Sequence, residues 1–177
     1  MVSTPDSDVQ KYIRDNYHDR VIVYERKKEL ARINVPLEPS LLEVIGFYSA
    51  KNKSPDLLAL LFIEAPFRNS LYIDKAVHTM QLYDVDVVDG IREEDDIFYF
   101  HNGHGLQPWN VNSGLRLERE NLFKRAGGLH LVRRDFIERG NKMLSGRIGH
   151  VMLDQKAAFV IRSEMDLQIA HFLAAKE

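Results

Sequence analysis

The spacing of apolar and polar positions changes along the chain, and each change predicts an element. Val9, Tyr12 and Ile13 recur at helical spacing. With Thr4 as cap, Pro5 in the first helical position and Asp6 and Asp8 at the positive end, they predict a helix ending near Tyr17. "RVIVYE", Arg20 to Glu25, is β-branched and aromatic and predicts a strand. Pro36 and Pro39 then punctuate the chain, and "SLLEVIGFY" fits a short helix or a buried strand equally. The run from Leu57 to Ile63 is too continuously apolar for periodicity to decide, and strand is favoured towards its end. From Leu71 onward β signals dominate: "LYIDKAVHTMQLYDVDVV", "IFYF", "LHLVRRDFI", "HVML" and "AAFVIR", separated by Gly, Asn, Asp or charged turns. The last two flank Asp154 and Gln155 closely enough for a hairpin, and "DLQIAHFLAAKE" returns to a helical pattern.

Helices early and late around a run of strands make the class α+β: one antiparallel sheet with N-terminal and C-terminal helices packed on it. Alternation along the strands predicts a core of Val21, Val23, Leu60, Phe62, Ile73, Phe98, Phe100, Leu131, Val151, Leu153, Phe159 and Ile161. At 177 residues and 45% apolar composition, a single domain spanning 1–177 is expected.

Composition removes several chemistries. With no cysteine there is no disulfide, thiolate metal site, iron–sulfur cluster or cysteine nucleophile, and a reducing, cytoplasmic location is expected. The N-terminus has neither a basic start nor an apolar stretch that would direct secretion. No apolar run approaches the roughly 20 residues that cross a bilayer, so no membrane partner is expected.

The net charge of −2 conceals two opposed segments. Asp84 to Asp96 holds seven acids (Asp84, Asp86, Asp89, Glu93, Glu94, Asp95, Asp96) against Arg92 alone. Arg116 to Arg147 holds nine bases (Arg116, Arg119, Lys124, Arg125, Arg133, Arg134, Arg139, Lys142, Arg147) against Glu118, Glu120, Asp135 and Glu138, a net of +5. Many of these bases have an acid within four residues, and only Phe123 and Phe136 interleave them, which argues against nucleic acid. The two segments are expected to face solvent or each other.

Candidate chemistry is sparse. "HNGHGLQPW" places His101 and His104 three apart with Trp109 beyond, residues able to touch a ligand. Two histidines fall short of the three protein ligands most catalytic metal sites need, so neither metal nor cofactor is expected. The alternative is a turn at Asn102 and Gly103 with Trp109 packed across it. Ser113, Ser145 and Ser163 lie in no nucleophile elbow. "AGGLH" lacks the lysine and following helix of a phosphate loop, so its glycines are assigned to a turn. His130, His150 and His171 stand in apolar surroundings and are assigned to core or surface.

"RDFIE" from Arg134 to Glu138, Gly140, the "GR" at Gly146 and Arg147, a strand ending near Leu153 and a closing strand before Glu164 resemble the bacterial chorismate lyases. These are small cofactor-free α+β enzymes that eliminate pyruvate from chorismate. The resemblance covers the last third of the chain. It departs from the family at the doubled arginine, here Arg147 alone, and at the closing glutamate, which would fall two residues earlier. It implies that Arg147 and Arg162 grip the carboxylates of a small acidic ligand and that Glu164 donates a proton. The reading favoured by the charge layout is different: a non-enzymatic interaction or assembly protein, with a protein partner or self-association through its acidic and basic segments.

Overall fold

The computed structural model describes residues 1–109 and 122–175. The class is α+β, and the chain divides into two compact units: Met1–Leu58 with Arg133–Met143, and Ala59–Val132 with Leu144–Glu177.

In the first unit, β1 (Val2–Thr4) pairs in parallel with β2 (Val23–Glu25), Val2 opposite Val23. Helix α1 (Ser7–Tyr17) is capped by Asp6, two residues later than the expected cap. Asp6 Oδ1 accepts from the backbone N–H groups of Asp8 (2.9 Å) and Val9 (3.1 Å), satisfying two of the donors that a helix start leaves open. Thr4 Oγ1 accepts from Asp6 N instead. The ambiguous "SLLEVIGFY" is helical, within α2 (Glu38–Ser49), and buries Leu41 and Ile45, four residues apart. A short helix over Arg134–Glu138 buries Phe136 and Ile137; the backbone N–H of Met143 reaches Glu38 Oε1 at 2.9 Å.

The second unit is built on a four-stranded sheet in the order β3 (Leu57–Leu61), β7 (Leu122–Arg133), β4 (Val87–Glu94), β8 (Ile148–Met152). β4 runs antiparallel to β7 but parallel to β8, so the sheet is mixed rather than wholly antiparallel. β5 (Tyr99–His101) and β6 (Leu106–Pro108) form a separate antiparallel hairpin.

Two strand expectations fail here. "LYIDKAVHTMQLY" is helix α3 (Ser70–Tyr83). Ile73, Val77 and Thr79 suggested a strand, but Tyr72, Ala76 and Met80, each four apart, are the buried residues, and burial at helical period outweighs local propensity. "AAFVIR" forms no strand; Asp154 Oδ1 accepts from Ala157 N at 2.8 Å and turns the chain instead. Helix α5 (Glu164–Ala174) follows, with Ser163 Oγ accepting from Asp166 N, while α4 (Arg134–Glu138) ends the run that carries β7.

Of the expected core, Leu131, Val151 and Leu153 are buried, and Val21, Val23, Leu60, Phe62, Ile73, Phe159 and Ile161 are half-buried. Phe98 and Phe100 are exposed, because the hairpin around them is not part of the four-stranded sheet.

Tyr72 ties α3 to the turn after β8, its hydroxyl donating to Asp154 Oδ2 at 2.5 Å. The bond raises the tyrosine pKa and, with the Ala157 N–H, holds the Asp154 carboxyl below its ordinary value. A carboxyl depressed in the fold contributes stability above its unfolded pKa and loses it as pH falls through the folded one. Tyr72→Phe is therefore expected to cost about 1.5 kcal/mol at pH 7, measured by urea denaturation. The difference should shrink in acid as Asp154 protonates; a cost unchanged down to pH 2 would show that the carboxylate is not the partner that matters.

Candidate functional site

The second unit carries an open cleft of about 300 Å³ lined by Phe62, Glu64, Arg125, Ala126, Gly128, Val160 and Arg162. Its polar side chains are two guanidinium groups and one carboxylate, so it suits an anion with an apolar or aromatic part lying on Phe62. The Arg125 guanidinium carbon lies 5.9 Å from the centroid of the Phe62 ring. A second cleft of about 190 Å³, between Phe67 and α5, is lined mainly by apolar side chains and offers no comparable cations.

The floor of the first cleft is held from below by Arg68. Its Nη1 donates to the carbonyl oxygens of Phe62 (2.9 Å), Ala65 (2.7 Å) and Gly127 (3.0 Å), joining the segment after β3 to the middle of β7. Desolvation lowers the Arg68 pKa, with the nearby Glu64 carboxylate opposing it. Phe62 N donates to Gly128 O and Ile161 N to Glu64 O, which fixes the other two walls.

The glycine pair is what permits this closeness. Gly127 and Gly128 both take left-handed backbone (φ +65° and +53°), and a Cβ on Gly128 would lie 2.9 Å from Phe62 Cβ. Together with Ala126 and Leu129 they bulge out of β7 opposite Gly90, breaking the β4–β7 register between Asp89 and Ile91. The sequence pattern places this pair in a turn, Phe62 in the core and Arg125 in the basic segment, and gives Glu64 no role. An arginine followed by two glycines inside a strand pattern was the available signal, since glycine within a strand marks a bulge or a close approach.

The residues singled out from the sequence lie in four places. Arg162 lines the cleft. Glu164 opens the first turn of α5 and is exposed; there its charge complements the helix dipole. Beside it, the N–H of Arg162 donates to Asp166 Oδ2, which lowers the Asp166 pKa. Arg147 is not among the cleft residues: it donates to Tyr83 O at 2.6 Å and lies 3.7 Å from Asp84. His101, His104 and Trp109 belong to the β5–β6 hairpin. Asn102 Oδ1 accepts from the N–H groups of His104 and Gly105, His101 Nδ1 accepts from Gly103 N, and Trp109 stacks edge-on against Phe100 at 5.9 Å. Both histidines are exposed at the turn's shoulders, and among the described residues no group of three potential metal ligands occurs.

Some of the opposed charges pair with one another. Asp89 pairs with Arg125, Glu94 with Lys124 and Arg92, and Asp84 with Arg147. Arg92 depresses the Glu94 pKa through the hydrogen bond between them. Arg116, Arg119, Glu118, Glu120 and Ser113 lie outside the described residues.

No protein-family model matches the chain, and no curated protein matches it in sequence. Solved structures do match in fold. One is the 4-diphosphocytidyl-2C-methyl-D-erythritol synthase of Anaerococcus prevotii, at 12% identity and TM-score 0.60, covering 96% of this chain and 77% of that one. Another is a CMP:2-keto-3-deoxy-manno-octonic acid synthetase complexed with CTP, at 12% identity and TM-score 0.63, covering 99% and 80%. A third is the 2-C-methyl-D-erythritol 4-phosphate cytidylyltransferase of Thermus thermophilus, at 13% identity and TM-score 0.52, covering 99% and 98%. At these identities the likeness is one of fold alone.

Both functional expectations are corrected by this finding. The chorismate lyase resemblance falls, because the fold matches a different group of enzymes. "RDFIE" is only a short helix, with Arg134 3.6 Å from Glu138 and Arg139 3.2 Å from Asp135 across single turns. The non-enzymatic assembly protein falls too: the structural neighbours are enzymes, and some of the opposed charges that suggested partners pair with one another, Asp89 with Arg125 and Glu94 with Lys124. Among the described residues no helix is long and apolar enough to cross a membrane.

Proposed function

We propose that the cleft of the second unit binds a nucleoside triphosphate of the cytidine class and that the chain is an enzyme of the cytidylyltransferase type. The observation that carries this reading is the pair Arg125 and Arg162 on one cleft, in a fold shared with cytidylyltransferases of which one is complexed with CTP. In cytidylyl transfer an acceptor oxygen attacks the α-phosphorus, the bond to the departing pyrophosphate breaks, and negative charge grows on the leaving oxygen. Guanidinium groups fixed beside the phosphates stabilise that charge bidentately. Gly128 lets the ligand approach the backbone, and Phe62 offers a face for a base or sugar.

Thermal unfolding of the purified chain with CTP, UTP and ATP at millimolar concentration tests the reading. CTP is expected to raise the melting temperature more than ATP, since a ligand bound only by the folded state stabilises it by mass action. Arg125→Met and Arg162→Met should each weaken CTP binding about ten-fold, the loss of one charge-assisted phosphate contact. With an anionic sugar acceptor present, pyrophosphate release should follow. If none of the three nucleotides shifts the transition, the cleft is not a nucleotide site.

A further inference from the structure

Behind the cleft lies a buried acid–base pair with no part in the chemistry above. Asp89 on β4 and His130 on β7 are register partners, Asp89 only 6% exposed and His130 fully buried. His130 Nδ1 is hydrogen-bonded to Asp89 Oδ1, and because a carboxylate only accepts, the imidazole nitrogen is the donor. His130 Nε2 has no hydrogen-bond partner among the described residues, so the ring serves Asp89 alone. Another neighbour of the same oxygen is Arg125 Nε, at 3.5 Å, and Arg125 lines the cleft.

We propose that Asp89 and His130 are positioning residues that hold the Arg125 guanidinium in place for an anionic ligand. The bulge makes this possible. In an unbroken ladder, with Asp89 opposite His130, Gly128 would stand opposite Ile91; the structure puts Arg125 there, bringing its side chain back over Asp89. Nε then lies at ion-pair distance from the carboxylate, and the two terminal nitrogens can meet a phosphate. On its other side the guanidinium meets the Phe62 ring. An arginine held between a carboxylate and a ring binds an anion with less loss of side-chain freedom than one on an open surface. Burying Asp89 without partners would be costly, and His130 supplies the buried one.

The ligand part of this inference rests on the nucleotide reading; the positioning part does not, and the test separates them. In the full chain, nitrogen-15 NMR of arginine side chains should show a distinct Arg125 Nε–H signal, assigned by its loss in Arg125→Lys. Asp89→Asn should return that signal to the position of freely exposed arginines. His130→Leu should do the same, whereas His130→Asn, whose amide can donate from nearly the Nδ1 position, should keep it. CTP affinity should fall about five-fold in Asp89→Asn, and by nothing further when the same change is made in Arg125→Met. The proposal is overturned if the signal is unmoved in Asp89→Asn, or if that change weakens CTP equally with and without Arg125. Should the signals respond as stated while wild type binds no nucleotide, the positioning pair stands and the nucleotide reading alone is lost.

Discussion

Gly127→Ala is expected to destabilise the chain by about 3 kcal/mol and to abolish ligand-induced stabilisation at the cleft. The residue sits at φ +65°, where a side chain costs about 1–2 kcal/mol in backbone strain. Its new methyl would also meet two neighbours, at 2.2 Å from Leu153 Cδ1 and 2.9 Å from Ala157 O. The leucine tip can rotate, but Leu153 is buried and has little room, and the carbonyl belongs to the backbone. Overpacking of this kind adds about 1–3 kcal/mol. Relief requires moving the strand, and Gly127 O is one of the three carbonyls that Arg68 holds. Urea denaturation measures the loss; a cost under about 1 kcal/mol would mean that the bulge flexes freely.

Arg68→Met should cost about 3 kcal/mol. The methionine replaces most of the apolar stem but none of the donors, so the carbonyls of Phe62, Ala65 and Gly127 lose a charged partner in a half-buried site. Arg68→Lys should recover only part, because all three carbonyls are met by Nη1, and a lysine nitrogen stands one bond nearer the backbone and is more strongly hydrated. A lysine variant as stable as wild type would sink the account. The same substitution should weaken CTP binding without touching the ligand, since Phe62 and Gly128 line the cleft that Arg68 braces.

What the sequence disclosed depended on whether the local signal and the burial pattern agreed. At α1 and α5 they did: polar caps stand before helical apolar spacing, and both helices form, the first capped by Asp6 instead of Thr4 because a carboxylate two residues on reaches two open N–H groups. At α3 they disagreed. Ile73, Val77 and Thr79 favour strands one by one, while Tyr72, Ala76 and Met80 mark a buried helical face only when taken together.

The candidate site was harder to see, for a physical reason. Its residues come from the end of β3, the bulge in β7 and the approach to α5, places far apart in sequence that only the sheet brings together. Arg162 stands in the stretch that resembles the chorismate lyases and lines the cleft. Arg125 was hidden among basic neighbours, and Asp89 among acidic ones, although each is the other's partner. The three-residue spacing of His101 and His104 suggested a ligand, yet the hydrogen bonds around them make a turn.

The strand order has a consequence for how the protein reaches this state. In the sheet order β3, β7, β4, β8, no two neighbours are consecutive along the chain, and β4 meets β8 in parallel only after the hairpin, β7 and α4 have been made. Each pairing closes a long loop before it gains any contact, and such topologies fold slowly compared with proteins built from local contacts. Until β8 docks, the apolar edge of β4 at Val87 and Val88 stays open to any other strand. Newly made chains therefore pass through a period in which association competes with folding, and low temperature and dilute protein during refolding should favour the native sheet.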